Sequence, residues 1–517
     1  MARESRGEIG ALIRSHEVAT VFAILVVAIL LSHLSLLQLP YYWDEAGYYI
    51  PAAWDFLESG SLIPHSTLTN AHPPLPSVLL ATAWKLFGFA PLVTRLVVVV
   101  VAALGLTGLW HLVVKVTRVR TIAAATVALT ALYPVWFAQE SLAHADIFAA
   151  CGALWGLSLV LPRHNRHAAL AFLCFSAAAL SKETAIALPM SLCAGFFAEG
   201  IFEKQKRWQH MREAAWMAAC ALPLACWYGY HRMMTGFLFG NPEFLRYNAQ
   251  ANLSALRLLA AFGHRVLHLT AHMNLFVPVV AAFAALLLTP RAGRREIERP
   301  TLWCILWILG SNAFFYSILG GALLTRYLLP LFPLVLLLVV HTLWRRVRQW
   351  PLLVALSAAG FAIGLFVNPP YGFAPEDNLA YAGMIRLHQD AIAEVEKLNP
   401  QARVLTAWPL SDAMRKPELG YTAQSIAVTP IDDFSAPQIT LAASEPASYN
   451  LAAVFSTKID PPSPLFTLGP WSRSLDARYF GLHQDLDPAE VAARLGGKVI
   501  WQESRQGQWV ALLTFKR

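Results

Sequence analysis

Long apolar runs recur along the chain, broken by short polar stretches. They fall at about residues 17–38, 92–114, 121–138, 144–161, 168–182, 184–201, 213–231, 271–290, 301–320, 323–343 and 351–368. Each is near the ~20 residues that an α-helix needs to cross ~30 Å of hydrocarbon, although 168–182 is short. The pattern therefore predicts about eleven transmembrane helices. The first run could pass for a secretory signal, but its apolar core of roughly 20 residues is too long and no small-x-small cleavage site follows it. It reads as a signal anchor.

The basic residues orient these spans. They cluster between apolar runs as Arg3/Arg6/Arg14, Lys115/Arg118/Arg120, Arg163/Arg166, Lys204/Lys206/Arg207/Arg212, Arg291/Arg294/Arg295/Arg299 and Arg345/Arg346/Arg348. With all six on the cytoplasmic side, as the positive-inside rule asks, two spans separate successive clusters. The N-terminus then lies inside and the C-terminus outside. One further run, Leu75 to Pro91, would reverse every later cluster if it crossed. It begins with Pro73, Pro74 and Pro76 and is short for a span, so it reads as an amphipathic helix along the outer membrane surface. The first external loop is then about 39–91.

Composition agrees. Of 517 residues, 56% are hydrophobic and 14% charged, with a mean hydropathy of +0.48, where soluble domains carry roughly 25% charged residues. The net charge of +8 is spread over the cytoplasmic loops and forms no single patch, which argues against a nucleic-acid partner. The partner it implies is the lipid bilayer. The six cysteines (Cys151, Cys174, Cys193, Cys220, Cys226 and Cys304) all lie within spans and form no CxxC, so they read as packing residues.

From about 369 the chain turns into ordinary soluble sequence. Leu379 to Leu398 predicts an amphipathic helix with Asp377 as candidate cap, and Arg403–Trp408 and Asn450–Phe455 predict short buried strands. Asp487 to Leu495 predicts a second helix, with Pro488 at its first position and Gly496 past its end. Lys498–Gln502 and Gln508–Phe515 predict a terminal hairpin. The expected organisation is a transmembrane domain at 1–368 and a small extracytoplasmic α/β domain at 369–517.

Chemistry concentrates on the outer face. Tyr41-Tyr42-Trp43-Asp44-Glu45 places two carboxylates among aromatics where the first span leaves the bilayer, and a membrane-edge acid is a candidate functional residue. His72-Pro73-Pro74 follows in the same loop. Arg95, near the outer end of the second span, either snorkels to lipid headgroups or holds an anion. The tight turn after the third span holds Glu140, His144 and Asp146. These have the donor types of a metal site but no diagnostic spacing, so a divalent metal remains one option and no other cofactor is implied. Lys182-Glu183 joins the fifth and sixth spans, as a simple polar turn or as part of a site. The long external loop at about 232–270 carries Arg232, Arg246, Arg257, Arg265, His264 and His268, and a loop so rich in arginine could hold a phosphate. Arg326-Tyr327 opens the tenth span ahead of Pro330 and Pro333, which suggests a broken helix lining a cavity. No P-loop or GxGxxG is present to take a cytoplasmic nucleotide.

Trp-Asp-Glu after the first span, His-Pro-Pro-Leu, an arginine entering the second span and Arg-Tyr-x-x-Pro-x-x-Pro late in the chain resemble the GT-C glycosyltransferases. The similarity is to their protein mannosyltransferase and aminoarabinose transferase (RgtA/B/C/D-like) group, and it covers about residues 1–345. The resemblance implies a polyprenyl-phosphate sugar donor, a hydroxyl acceptor on a lipid, glycan or protein, and inverting transfer at the extracytoplasmic face. By position, Asp44 resembles the family's acidic base, Glu45 its partner and Asp146 the acid of the second external loop. Arg326, Lys182, Arg95 and Tyr327 would bind the donor phosphate, and His72, Pro73 and Pro74 would shape the site. Two departures matter. The lysine often found within the His-x-Pro-Pro segment of aminoarabinose transferases is absent, and so is the C-terminal β-trefoil of eukaryotic mannosyltransferases. A bacterial inner-membrane enzyme is therefore expected. A transporter or flippase of lipid-linked glycans is the competing class. Transporters place charges near the midplane of paired repeats, and here the acids lie at one surface with no internal repeat.

Overall fold

The computed structural model describes residues 2–67, 70, 72–162, 167–240, 242, 254–319, 323–459, 478 and 485–515, with side chains from residue 16 onward. The Arg163/Arg166 cluster, Arg246 and the side chains of Arg3, Arg6 and Arg14 lie outside the described residues. The chain forms two compact units: Met1–Leu37 with Ala53–Ala362, and Gln38–Ala52 with Ile363–Arg517. The segment carrying Asp44 and Glu45, assigned from sequence to the first external loop, thus counts with the C-terminal unit.

The first unit is helical, and the chain is a multi-pass membrane protein. Each of the eleven predicted runs holds at least one helix, and four of them, 121–138, 213–231, 271–290 and 323–343, are broken into more than one piece. Among the described residues, four helices are long and apolar enough to span alone: His16–His33, Pro91–Thr117, Glu183–Phe202 and Arg299–Ile318. Ala255–Asn274 and Phe276–Ala285 together make a pair bent by 102°. Proline explains much of the remaining breakage, because it disfavours helical backbone at the residue before it. Tyr133, ahead of Pro134, is extended (φ −63°, ψ 124°) and splits the third run into Arg120–Leu132 and Pro134–Gln139. The tenth run opens as a short 3-10 turn, Thr325–Leu328, before Phe332–Arg346.

The run read as a surface helix is Leu75–Phe87. Leu80, Ala81 and Trp84 are buried on one face, while Leu79, Leu86 and Phe87 are exposed. The Trp84 indole donates to Thr94 Oγ1 at 2.9 Å, fixing this helix to the start of Pro91–Thr117.

Helices Ala145–Val160 and Ala168–Ser181 pack at unusually close range. A Cβ at Gly152 would lie 2.7 Å from the Cys174 carbonyl oxygen, and one at Gly156 would lie 2.6 Å from the Phe175 ring. Small residues four apart let two backbones approach within a membrane. The approach has a functional consequence, because it brings the beginning of one helix beside the end of the other.

The second unit is α/β. Its sheet runs β2-β1-β3-β5-β4, where β1 is Arg403–Ala407, β2 Ala427–Ile431, β3 Leu451–Phe455, β4 Gly497–Arg505 and β5 Gln508–Phe515. β1 pairs in parallel with β2 and β3, and β5 pairs antiparallel with β3 and β4. β3, an unbroken apolar run, is fully buried, and β1 is buried from Val404 to Ala407. Helix Ala380–Leu398 covers the sheet with Ile385, Ala391, Ile392 and Val395 buried. Its start is set by Asn378, whose Oδ1 accepts from the Ala380 N–H at 2.9 Å, and not by Asp377 as expected. Helix Pro488–Leu495 is capped by Asp487 and ends at Gly496 with φ 68°, as its sequence predicts.

Candidate active site

In the first unit, one buried group gathers residues separated by up to 182 positions. Asp146 lies in the first turn of Ala145–Val160, where the positive end of a helix favours a carboxylate. Lys182 directly follows Ala168–Ser181. The close glycine packing of these helices sets Lys182 Nζ 2.5 Å from Asp146 Oδ1, with both side chains buried. Arg326, on the 3-10 turn, approaches the other carboxylate oxygen, Oδ2, with its Nε at 3.4 Å. The three charges therefore share one carboxylate and fix one another's orientation.

Tyr327 completes the group. The Lys182 ammonium sits 4.0 Å from its ring centroid, within cation–π range. The Arg265 guanidinium lies 6.0 Å from the same ring and donates to the Leu324 carbonyl at 2.9 Å. Tyr316, 6.4 Å away between ring centroids, donates to the Thr184 carbonyl. Arg326 Nη1 also reaches His144 Nδ1 at 3.1 Å. A guanidinium only donates, so in this contact the ring nitrogen is the acceptor. Gln139 Oε1 lies 2.9 Å from the same nitrogen and, as an amide oxygen, only accepts, so the two contacts ask opposite tautomers of His144.

The other sequence candidates are placed as follows. His72 Nδ1 is 3.2 Å from Glu183 Oε2, so the His-Pro-Pro segment is tied to the residue beside Lys182. Pro74 directly precedes the surface helix. Arg95 does not snorkel. It is buried, and its Nη1 donates to the Ser141 carbonyl at 2.7 Å, bracing the turn that presents His144 and Asp146. Glu140 is turned toward His33, 3.9 Å away, and burial pushes its carboxyl well above the usual range.

A metal at Glu140, His144 and Asp146 does not fit this arrangement. Asp146 is held between two cations, His144 Nδ1 is engaged by Arg326 and Gln139, and Glu140 points to a different partner. Among the described residues no group of three or more His, Cys, Asp or Glu is placed to hold a metal ion.

Asp44 and Glu45 belong to the second unit. Glu45 is fully buried and its Oε2 accepts from the Tyr42 N–H at 2.8 Å, while its own N–H donates to the Tyr42 carbonyl at 2.9 Å. This reciprocal pair closes a turn that leaves Asp44 partly exposed. Glu45 therefore shapes the backbone, and Asp44 has the accessible carboxylate.

Sequence reasoning missed the partnership of Gln139 and His144, the place of Tyr316, and the proximity of Arg265 to Tyr327. The one available signal was Gly152-x-x-x-Gly156, which marks the helix approach that joins Asp146 to Lys182.

Residues 71–227 match the family model described as dolichyl-phosphate-mannose-protein mannosyltransferase. No curated protein matches the chain in sequence. Two solved structures of ArnT from Cupriavidus metallidurans share its fold. The apo structure has 16% identity and a TM-score of 0.55 over 96% of this chain and 98% of that one. The structure bound to undecaprenyl phosphate has 15% identity and a TM-score of 0.54 over 96% and 97%.

Proposed function

We propose that this chain is a GT-C glycosyltransferase of the mannosyltransferase and aminoarabinose transferase type, and that it transfers a sugar from a polyprenyl-phosphate donor to a hydroxyl acceptor. The acceptor is a lipid, glycan or protein, and the reaction takes place at the extracytoplasmic face of a bacterial inner membrane, with inversion at the anomeric carbon. The observation that carries this reading is the buried Lys182–Asp146–Arg326 group beside Tyr327. An ammonium has three N–H donors, and Lys182 here commits to one carboxylate oxygen and one ring face. Arg and Lys in a dry setting are the usual means of neutralising a phosphate as charge develops on it. The ArnT structure with undecaprenyl phosphate supports a lipid-linked phosphate as the ligand of such a fold.

The roles then divide. Asp44 takes the proton of the acceptor hydroxyl as that oxygen attacks the anomeric carbon. The bond between that carbon and the phosphate oxygen breaks, and its electron pair leaves with the polyprenyl phosphate. Lys182 and Arg326 neutralise the phosphate, which is why no general acid is needed. Asp146 holds the two cations in register, with Arg95 and His144 supporting its turn. Glu45 keeps Asp44 in place.

The test is incubation of the purified protein in detergent with radiolabelled polyprenyl-phosphate sugars and a lipid and glycan extract. The proposal expects label in the acceptor fraction and stoichiometric release of polyprenyl phosphate. Donor bound without release, and moved intact across proteoliposomes, would instead identify a transporter.

A further inference from the structure

The backbone around Asp44 adopts a conformation that its local sequence does not favour. Trp43 has φ +46°, in the left-handed region that a bulky side chain rarely adopts. Glu45–Tyr49 forms one turn of π-helix, a rare and wide geometry that is frequent at functional sites. Backbone of this kind persists only where its surroundings over-determine it.

Those surroundings come from the far end of the chain. The Tyr41 N–H donates to the Leu419 carbonyl at 3.1 Å, and the Tyr421 hydroxyl donates to the Tyr41 carbonyl at 3.0 Å. The Tyr42 ring lies 5.7 Å from Tyr381, and its hydroxyl reaches Met384 Sδ at 3.6 Å. Trp43 meets the Trp408 indole edge-on with centroids 4.9 Å apart. The same indole covers the π-helix: a Cβ at Gly47 would lie 2.9 Å from Trp408 Cζ2, so only glycine admits it. Strained residues on either side of Asp44 are thus pinned by one tryptophan at the end of β1.

We propose that the C-terminal α/β domain is the positioning scaffold of the catalytic loop, with Trp408 as its central positioning residue and Tyr421 as its hydrogen-bonding one. The inference rests on the reading of Asp44 as the acceptor's base. It gives the soluble tail a task distinct from acceptor recognition: it holds residues 41–49 in the one backbone that presents Asp44. Trp408 touches no reacting atom, so its loss acts through geometry.

The experiment compares wild type, Trp408→Ala, Trp408→Phe, Tyr421→Phe and Asp44→Asn in detergent, by transfer kinetics and by amide hydrogen exchange. Trp408→Ala is expected to lower kcat on the order of 10²-fold, the scale set by displacing a reactive group by about 1 Å, with donor KM little changed. Exchange at residues 45–49 accelerates, while β3 and β5 keep their protection. Trp408→Phe recovers most of both, and Tyr421→Phe, which removes one hydroxyl, shows a smaller change of the same kind. Unaltered exchange at 45–49 in Trp408→Ala and Tyr421→Phe overturns the scaffold. So does full turnover by Trp408→Ala while Asp44→Asn is inactive. Full turnover by Asp44→Asn would instead remove the base assignment, and the exchange data would still decide whether the loop is held.

Discussion

The two regions to which we assign the chemistry are built by opposite means. In the Lys182–Asp146–Arg326 group, Asp146 and Lys182 sit at the ends of two regular helices brought close by glycine, Arg326 reaches in from a 3-10 turn, and the charges are oriented by one another. The Asp44 loop is irregular, left-handed at Trp43 and π-helical at Glu45–Tyr49, and is held by aromatic packing onto a soluble sheet. A phosphate-holding group needs buried, fixed donors, and tight helix packing supplies them. The base we propose meets an acceptor hydroxyl at an accessible surface. The first region should therefore fail by losing stability and donor affinity, and the second by losing turnover alone.

The largest effect on folding is expected from Asp146→Asn, which leaves two buried cations without their shared carboxylate. Breaking one side of a buried ion group costs about 3–5 kcal/mol, so the thermal midpoint in detergent should fall markedly. Lys182→Ala, by contrast, leaves Asp146 with Arg326. It should raise the donor KM about tenfold or more, since a charge-assisted contact to phosphate is lost, and a titration of donor against initial rate measures it. If KM held constant, the lysine would belong to the fold and not to the site.

The second unit offers a pH test. Burial lowers the His388 pKa to about 3, where its ring lies 4.9 Å from Phe455. The unfolded chain takes up this proton below about pH 6.5 and the folded unit does not, so stability falls as pH drops from there toward 3. The loss should reach a few kcal/mol, and His388→Phe should flatten the profile measured by tryptophan fluorescence. The smallest change is Gly156→Leu, which forces a side chain against Phe175. Overpacking of this kind costs about 1–3 kcal/mol, and it should weaken donor binding by parting Asp146 from Lys182.

Much of this was legible in the chain, for identifiable reasons. Hydrophobic run length placed a helix in each of the eleven runs, because the bilayer enforces that length, but Ala255–Thr270 forms a helix in a stretch read as external loop. Asp146, Lys182 and Arg326 stood out because charge at a membrane edge is costly. Their partnership was not legible: Asp146 and Lys182 are 36 residues apart, and only the helix approach at Gly152 and Gly156 joins them. The breaks within spans were placed only where proline marked them. Arg95, read as either snorkelling or holding an anion, is buried and donates to the Ser141 carbonyl, a partner that residue type does not foretell. The hold of Trp408 and Tyr421 on residues 41–47 lay wholly outside local pattern, since it pairs segments some 365–380 positions apart.

The central claim is that Asp44 performs the proton transfer while the buried cations hold the leaving phosphate. Single-turnover release of polyprenyl phosphate, with donor pre-bound and acceptor added in excess, tests it most directly. Asp44→Asn should bind donor as tightly as wild type and release polyprenyl phosphate on the order of 10²–10⁴ times more slowly. Release at the wild-type rate by a folded, donor-saturated Asp44→Asn protein would contradict the account.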